Sequence, residues 1–196
     1  MTASVFPVGH YGGVRANDAG PAVHVVRTGW QQHRLSEEQL GLWMVAHGVT
    51  ETGKGPWTVA DVIARAGVAD AGSHIETMQA AGLLAIVEDD PIAASEFARG
   101  HRLDVQYVGL GNALDRLDGY AVGIPGVGTA AVLDPDCYEL WQWGSVAPTL
   151  WHSVEVRATV TSHWEQDNDP FHSLAEILGD LRFLIAHGCA YLDVAG

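Results

Sequence analysis

The order of apolar and polar positions in this chain runs through one course twice. Near residue 35 a strand-like stretch passes through Leu35-Ser36 into a helical stretch carrying Leu42-Trp43; residues 132–144, VLDPDCYELWQWG, do the same through Leu133-Asp134 and Leu140-Trp141. The spacing is constant, since 133 − 35 and 141 − 43 both equal 98. A fixed offset within one sequence is the mark of a diverged duplication. Each copy also starts its helix by the same physics with different residues. Ser36 with Gln39 three positions on makes a capping box, and Asp134 followed by Pro135 puts a side-chain acceptor ahead of a ring-fixed helical φ.

Around this repeat the periodicities predict further elements. Turn residues at Gly12-Gly13, Asn17-Asp18 and Gly20-Pro21 separate short apolar runs, so strands are expected near 5–11, 22–28 and 30–35, with Gly29 in a tight turn. A helix over 37–47 follows, with Leu40, Trp43, Met44 and His47 at i, i+3, i+4 and i+7. Thr58 is the expected cap of a second helix with Val59, Val62, Ile63 and Ala66 as its stripe. A third helix over 70–81, Ile75 and Met78 inward, stops at Gly82 before a strand over 83–87.

After Asp89-Asp90-Pro91, residues 91–101 are expected to link the copies, with a short helix among them. The second copy then offers strand-like DVQYVGL, YAVGI and TAAVL, which places Val26 on Ile124 and His33 on Ala131, and a helix from Pro135. Beyond it the offset falls to 92, because Pro56-Trp57-Thr58 meets Pro148-Thr149-Leu150. Residues 153–161 are ambiguous. Val154, Val156, Ala158 and Val160 alternate with polar residues as in a strand, whereas the duplication calls for a helix, which is the expectation carried forward. A polar loop, SHWEQDND, leads to a helix over 170–187, capped by Asp169, striped by Leu174, Ile177, Leu178, Leu181, Leu184 and Ile185, and ended by Gly188.

Composition narrows the function classes. With 47% apolar and 17% charged residues in a chain of 196, two small cores can be filled. No apolar run approaches the ~20 residues of a membrane helix, and MTASVFPVGH lacks the features of a secretion signal, so a cytoplasmic protein is expected. A net charge of −14, with Lys54 as the only lysine and no basic run among the arginines, weighs against duplex DNA. Cys137 and Cys189 are too few for a disulfide framework.

Three short strands leading through Leu35-Ser36 or Leu133-Asp134 into Trp43 or Trp141, then Thr58-Val59-Ala60-Asp61-Val62-Ile63, then Ala81-Gly82-Leu83-Leu84, resemble the PqqD-like family, the recognition element of ribosomal peptide biosynthesis. The resemblance implies an α+β fold of two tandem winged helix-turn-helix domains, 1–90 and 102–196, each a short antiparallel sheet plus three helices. It also implies binding of a precursor peptide, which adds as a strand to the sheet edge and lies along the third helix. The matching positions are Gln31, Gln32, His33 and Arg34 on the strand, and His74, Thr77 and Ala81 on the helix. The chain departs from the family in being doubled and in carrying no fused enzyme, so either copy could instead serve dimerisation or scaffolding.

Chemistry-bearing residues are sparse. The ten histidines lie on scattered elements without H-x-x-x-H or C-x-x-C spacing, so no metal is expected. Cys137 sits near a helix N-terminus, where His152 or His163 could approach it, but its neighbours Tyr138 and Leu140 favour packing. GIPGVGTAA lacks the Gly-Lys-Ser/Thr of a phosphate loop and leads to a strand. Phe183 falls opposite the apolar stripe of the last helix, beside Glu176 and Asp180; it either packs on the other copy or, with Arg182, marks a partner groove. The expectation is a non-catalytic, cofactor-free protein that binds a precursor peptide or the enzyme modifying it, with a homodimer compatible. A winged-helix DNA-associated regulator or chromosome-organising adaptor is the alternative, and a subunit completing a partner's active site is a third.

Overall fold

The computed structural model describes residues 3–17, 20–113, 116–161 and 169–196. The fold is α+β with small antiparallel sheets. The first half runs β1 (Ser4–Pro7), β2 (His10–Asn17), β3 (Gly20–Thr28), β4 (Gln31–Leu35), α1 (Glu37–Val45), α2 (Val59–Ala66), α3 (Ala71–Ala80) and β5 (Leu84–Val87). After α4 (Pro91–Gly100) the order returns: β6 (His101–Val105), β7 (Val108–Ala113), β8 (Arg116–Ile124), β9 (Gly128–Leu133), α5 (Pro135–Gly144), α6 (Leu150–Thr161), α7 (Pro170–Ala186) and β10 (Ala190–Val194). The expected loop SHWEQDND, with His163, lies at 162–168 outside the described residues except for its last aspartate.

Local sequence sets the helix starts. Ser36 and Gln39 form both bonds of the capping box, Thr58 and Asp61 form a second one, and Asp134 accepts from the Cys137 N–H at 2.9 Å. Asp90 caps α4 by accepting from Ile92 and Ala93, and Asp169 caps α7 by accepting from Phe171. The segment expected as a linker is therefore a capped helix, and its Ala94, Phe97 and Ala98 are buried in the core of the second half.

The sheets correct the strand expectations. The run expected as one strand over 5–11 is broken at Gly9, whose φ of +103° suits glycine, and a Cβ there would meet the Arg27 carbonyl at 2.6 Å. The piece before the break, β1, pairs with β5, and the piece after it opens the sheet β2-β3-β4. The second half repeats this, with β6 on β10 and β7-β8-β9. Registers correspond too: Val5 lies opposite Ile86, and Leu103 opposite Leu192.

One position moves. Val26 faces His33, and the residue facing Ala131 is Val122, not Ile124. Val26 and Val122 are both fully buried, whereas Ile124 is exposed. The cause is a register shift after Val122 together with the longer turn before β9, which returns the chain to its offset of 98 by β9.

Two hydrophobic clusters result. Val26, Leu35, Leu42, Trp43, Val62 and Met78 belong to the first; Val122, Leu133, Leu140, Trp141, Val154 and Leu184, their positional equivalents, belong to the second. Phe6 and Val87 of the first half also pack into the second cluster. The expected stripe on α1 is rotated, with Leu42 buried and Met44 facing solvent, because α2, α3 and β3 approach from the Leu42 side. Residues 150–161 are a helix. Val154 and Ala158, four apart, point inward while Val156 and Val160 are exposed, which is how two interleaved apolar pairs imitate a strand.

Each half is closed by a tryptophan. The Trp43 Nε1–H donates to the Val8 carbonyl at 3.3 Å, and the Trp141 Nε1–H lies 3.2 Å from the carbonyls of both Gln106 and Cys189. These bonds pin the first helix of each half to the chain just after its first strand. Replacing Trp43 or Trp141 by Phe is expected to cost about 1–3 kcal/mol in urea unfolding, the penalty of a buried acceptor losing its donor, with the larger loss at Trp141. Unchanged midpoints would show that the rings act by packing alone.

Candidate functional site

The strand β4 lies at an edge of its sheet. It is joined to β3 by the two-residue turn Gly29-Trp30, and Thr28 lies opposite Gln31. In such a hairpin the closing pair exchanges both backbone hydrogen bonds, and the pairs then alternate. Gln32 and Arg34 consequently direct their N–H and C=O away from β3, toward the outer edge. Gln31, Gln32 and Arg34 are exposed, while His33 is half-buried with its Nε2 2.8 Å from the Thr28 hydroxyl. The hairpin tip is held from across the molecule: Asp193, buried on β10, accepts from the Gly29 N–H at 2.6 Å and from Arg27 at 3.1 Å.

Beside the C-terminal end of this edge stands α3. His74 Nε2 is 3.5 Å from Glu38 in the first turn of α1, which begins just after β4. Ser73, Glu76, Thr77, Ala80 and Ala81 are exposed, so this face of α3 is bare. The Thr77 hydroxyl donates to the Ser73 carbonyl within the helix. Of the seven expected first-half positions, Gln31, Gln32, Arg34, Thr77 and Ala81 are exposed, while His33 and His74 are half-buried.

In the second half the equivalent face is covered. Stepping from β5 to β10 advances 106 residues, which sets Gly179 at the place of Ser73, Asp180 at His74, Arg182 at Glu76 and Phe183 at Thr77. The loop between α1 and α2, with its 3₁₀ turn at Thr50–Thr52, lies against α7. Lys54 reaches from this loop between two carboxylates, 2.7 Å from Asp134 and 2.6 Å from Asp180. Asp180 is buried and also pairs with Arg157 at 2.8 Å; Arg157 in turn donates to the Asp136 carbonyl. A Cβ at Gly179 would sit 3.3 Å from Lys54 Cβ, so the glycine admits the loop at close range.

Arg182 and Phe183 are not surface groups. Arg182 is 1% exposed; its Nη1 donates to the Ala46 carbonyl, its Nη2 to the Val5 carbonyl, and its guanidinium lies over the Phe6 ring at 4.2 Å. Burial lowers its pKa to about 10. Phe183 is half-buried and stacks on His187 at 4.0 Å. The periodicity of α7 implied a solvent face, but at Arg182 the first half occupies it, while Phe183 packs against the second cluster. Of the residues that matter here, Arg157 went unnoticed in the sequence, and Lys54 and Asp180 were noted but not as partners of one another. The signal was the longer first-half loop, which carries the only lysine.

Neither cysteine is placed as a nucleophile. Cys137 is buried, 3.8 Å from the Asp180 carbonyl, and burial pushes its thiol pKa well up; Cys189 is raised to about 11 by the same cause. The stretch GIPGVGTAA forms the hairpin turn between β8 and β9. Among the described residues no group of three or more His, Cys, Asp or Glu is placed to hold a metal ion, and no helix is long and apolar enough to cross a membrane. Comparisons with protein-family models, with curated proteins and with solved structures find no match to this chain.

The Lys54 bridge has a pH signature. Burial acts to raise the Asp134 pKa, but hydrogen bonds from Lys54 and the Cys137 N–H outweigh it and hold the carboxyl below its ordinary 3.8. A carboxylate with a depressed folded pKa adds stability above its unfolded pKa, lost as pH falls through the folded value. Lys54→Met is expected to cost about 1 kcal/mol at neutral pH, the scale of a half-exposed pair. That difference from wild type should shrink as pH drops below about 4, measured by urea unfolding across pH. A difference independent of pH would show that Lys54 acts through its aliphatic stem.

Proposed function

We propose that the first half binds an extended peptide as an added strand on the outer edge of β4, with the bare face of α3 beside it. On this reading each half is a winged helix-turn-helix of the PqqD-like kind. The chain is a non-catalytic recognition protein that engages a ribosomally made precursor peptide, or the enzyme that modifies it. The observation carrying the reading is the asymmetry between the halves: the strand edge and the α3 face are bare together in the first, whereas the equivalent face of α7 in the second is filled by the Lys54 loop.

The chemistry of strand addition fits this edge. Unpaired N–H and C=O groups at Gln32 and Arg34 supply backbone bonds, and side chains on the neighbouring helix face supply selectivity. The wall is Ser73, His74 and Thr77, with Glu37 and Glu38 at the nearby start of α1, so a peptide bearing basic or hydroxyl side chains is favoured. A duplex is disfavoured by the same face: α3, AGSHIETMQA, has no lysine or arginine to meet phosphate.

The test begins with capture of partners from the host lysate by the tagged full chain, with and without nuclease, read by mass spectrometry. The recovered peptide, made synthetically, is then titrated against wild type and Gln32→Pro. Proline at 32 deletes an outward donor without touching the β3–β4 ladder, and its affinity is expected to fall about tenfold or more. Recovery that vanishes with nuclease, or equal affinity of wild type and Gln32→Pro, would overturn strand addition at β4.

A further inference from the structure

The indole of Trp30 has no part in the fold. Trp43, Trp57 and Trp141 are buried, whereas Trp30 is fully exposed and is the barest large apolar side chain among the described residues. The turn it occupies does not require it. Gly29, with a φ of +54°, supplies the left-handed first position of the two-residue hairpin, and the second position of such a turn accepts any residue. Nor is the tip loose: Asp193 accepts from the Gly29 N–H at 2.6 Å, and Arg27 donates to the Gly29 carbonyl at 2.7 Å. An anchored backbone thus carries a large apolar ring into water at the head of β4. Tryptophan is among the side chains that supply most binding energy at interfaces.

The charges around β4 give its edge a direction. At the tip Arg27 and Asp193 are paired with each other at 3.1 Å, so that end offers the indole and no free charge. At the other end Glu37 and Glu38 are exposed, with His74 beside Glu38 at 3.5 Å. Arg34, the cation along the strand, lies on the opposite face from buried Leu35. Resting on strand addition at β4, we propose that the peptide sets an apolar side chain, aromatic or branched aliphatic, against the Trp30 indole and a basic side chain beside Glu37 and Glu38. At a rise of ~3.4 Å per residue the two are about seven positions apart. The peptide runs antiparallel to β4, as the paired strands of each sheet do here, so its basic residue comes first.

The test titrates four acetylated, amidated octapeptides into the isotope-labelled full chain, followed by NMR. The first is Lys-Thr-Lys-Thr-Val-Thr-Val-Phe; two others end in Ser or Lys in place of Phe, and the last is the first in reverse order. The backbone amides of Gln32 and Arg34 report strand addition, and the Trp30 indole N–H, identified by its loss in Trp30→Ser, reports the apolar contact. The first peptide is expected to shift all three resonances and to bind about tenfold tighter than the others. In Trp30→Ser the peptides ending in Phe and Ser should bind alike, with the amide shifts retained and the urea midpoint of wild type. Equal affinity of those two for wild type, with the amide shifts intact, would overturn the Trp30 contact and leave strand addition standing. A peptide ending in Lys that binds as tightly as the first would put a cation over the ring instead of an apolar group. Equal binding of the reversed peptide would overturn the direction. No amide shift with any of the four up to about 1 mM would overturn strand addition at β4 and the Trp30 contact with it.

Discussion

The helix α7 is enclosed on two sides, and most of this architecture follows from that constraint. Its apolar stripe fills the core of its own half, while its other side meets the first half through Arg182, Asp180 and Gly179. Its first turns leave His172 and Glu176 in water, but from Gly179 on the polar side is covered, so the polar side chains there must find partners in the protein. Asp180 finds two cations. Arg182 finds two carbonyls from different segments, Val5 on β1 and Ala46 at the end of α1. The junction is consequently polar and specific in register, not a smooth apolar seam, and the two halves are held in one orientation by bonds that have definite directions.

Duplication explains why the halves look alike and the junction explains why they differ. The tryptophan-to-carbonyl bonds, the strand pairing of β1 with β5 and of β6 with β10, and the buried Leu35 and Leu133 are common to both. Divergence gathers on the third helix. Ser73, His74 and Glu76 in the first half stand where Gly179, Asp180 and Arg182 stand in the second, which exchanges a solvated face for one built to receive a loop and bury a charge.

What was legible in the sequence was mainly what is local. Ser36 with Gln39, Thr58 with Asp61, and Asp134 before Pro135 mark helix starts because the capping bond spans only three residues. The offset of 98 was legible because it compares the chain with itself. Pairings between distant segments were not: β1 meets β5 about eighty residues on, and nothing in VFPV announces that partner. Val26 was set on Ile124 because a constant offset hides a two-residue shift that the longer turn and an extra residue in β9 undo by Ala131. As elements, the strand of Gln31 to Arg34 and the helix of His74 came through, since both depend on local pattern. Arg182 and Phe183 did not, because helical periodicity reports which face is apolar, not what covers the polar one.

The hold of Asp193 on the Gly29 N–H sets an order of events during synthesis. A ribosome must add 164 residues after Gly29 before the carboxylate that fixes the β3–β4 hairpin exists. The first half can collapse around Trp43 and Leu42 much earlier, yet its exposed strand edge stays unanchored through that interval. For a nascent chain an edge strand is a liability toward neighbouring nascent chains as well as an asset toward a proper partner. Completion of β10 closes that window, so the segment made last fixes the hairpin of the segment made first.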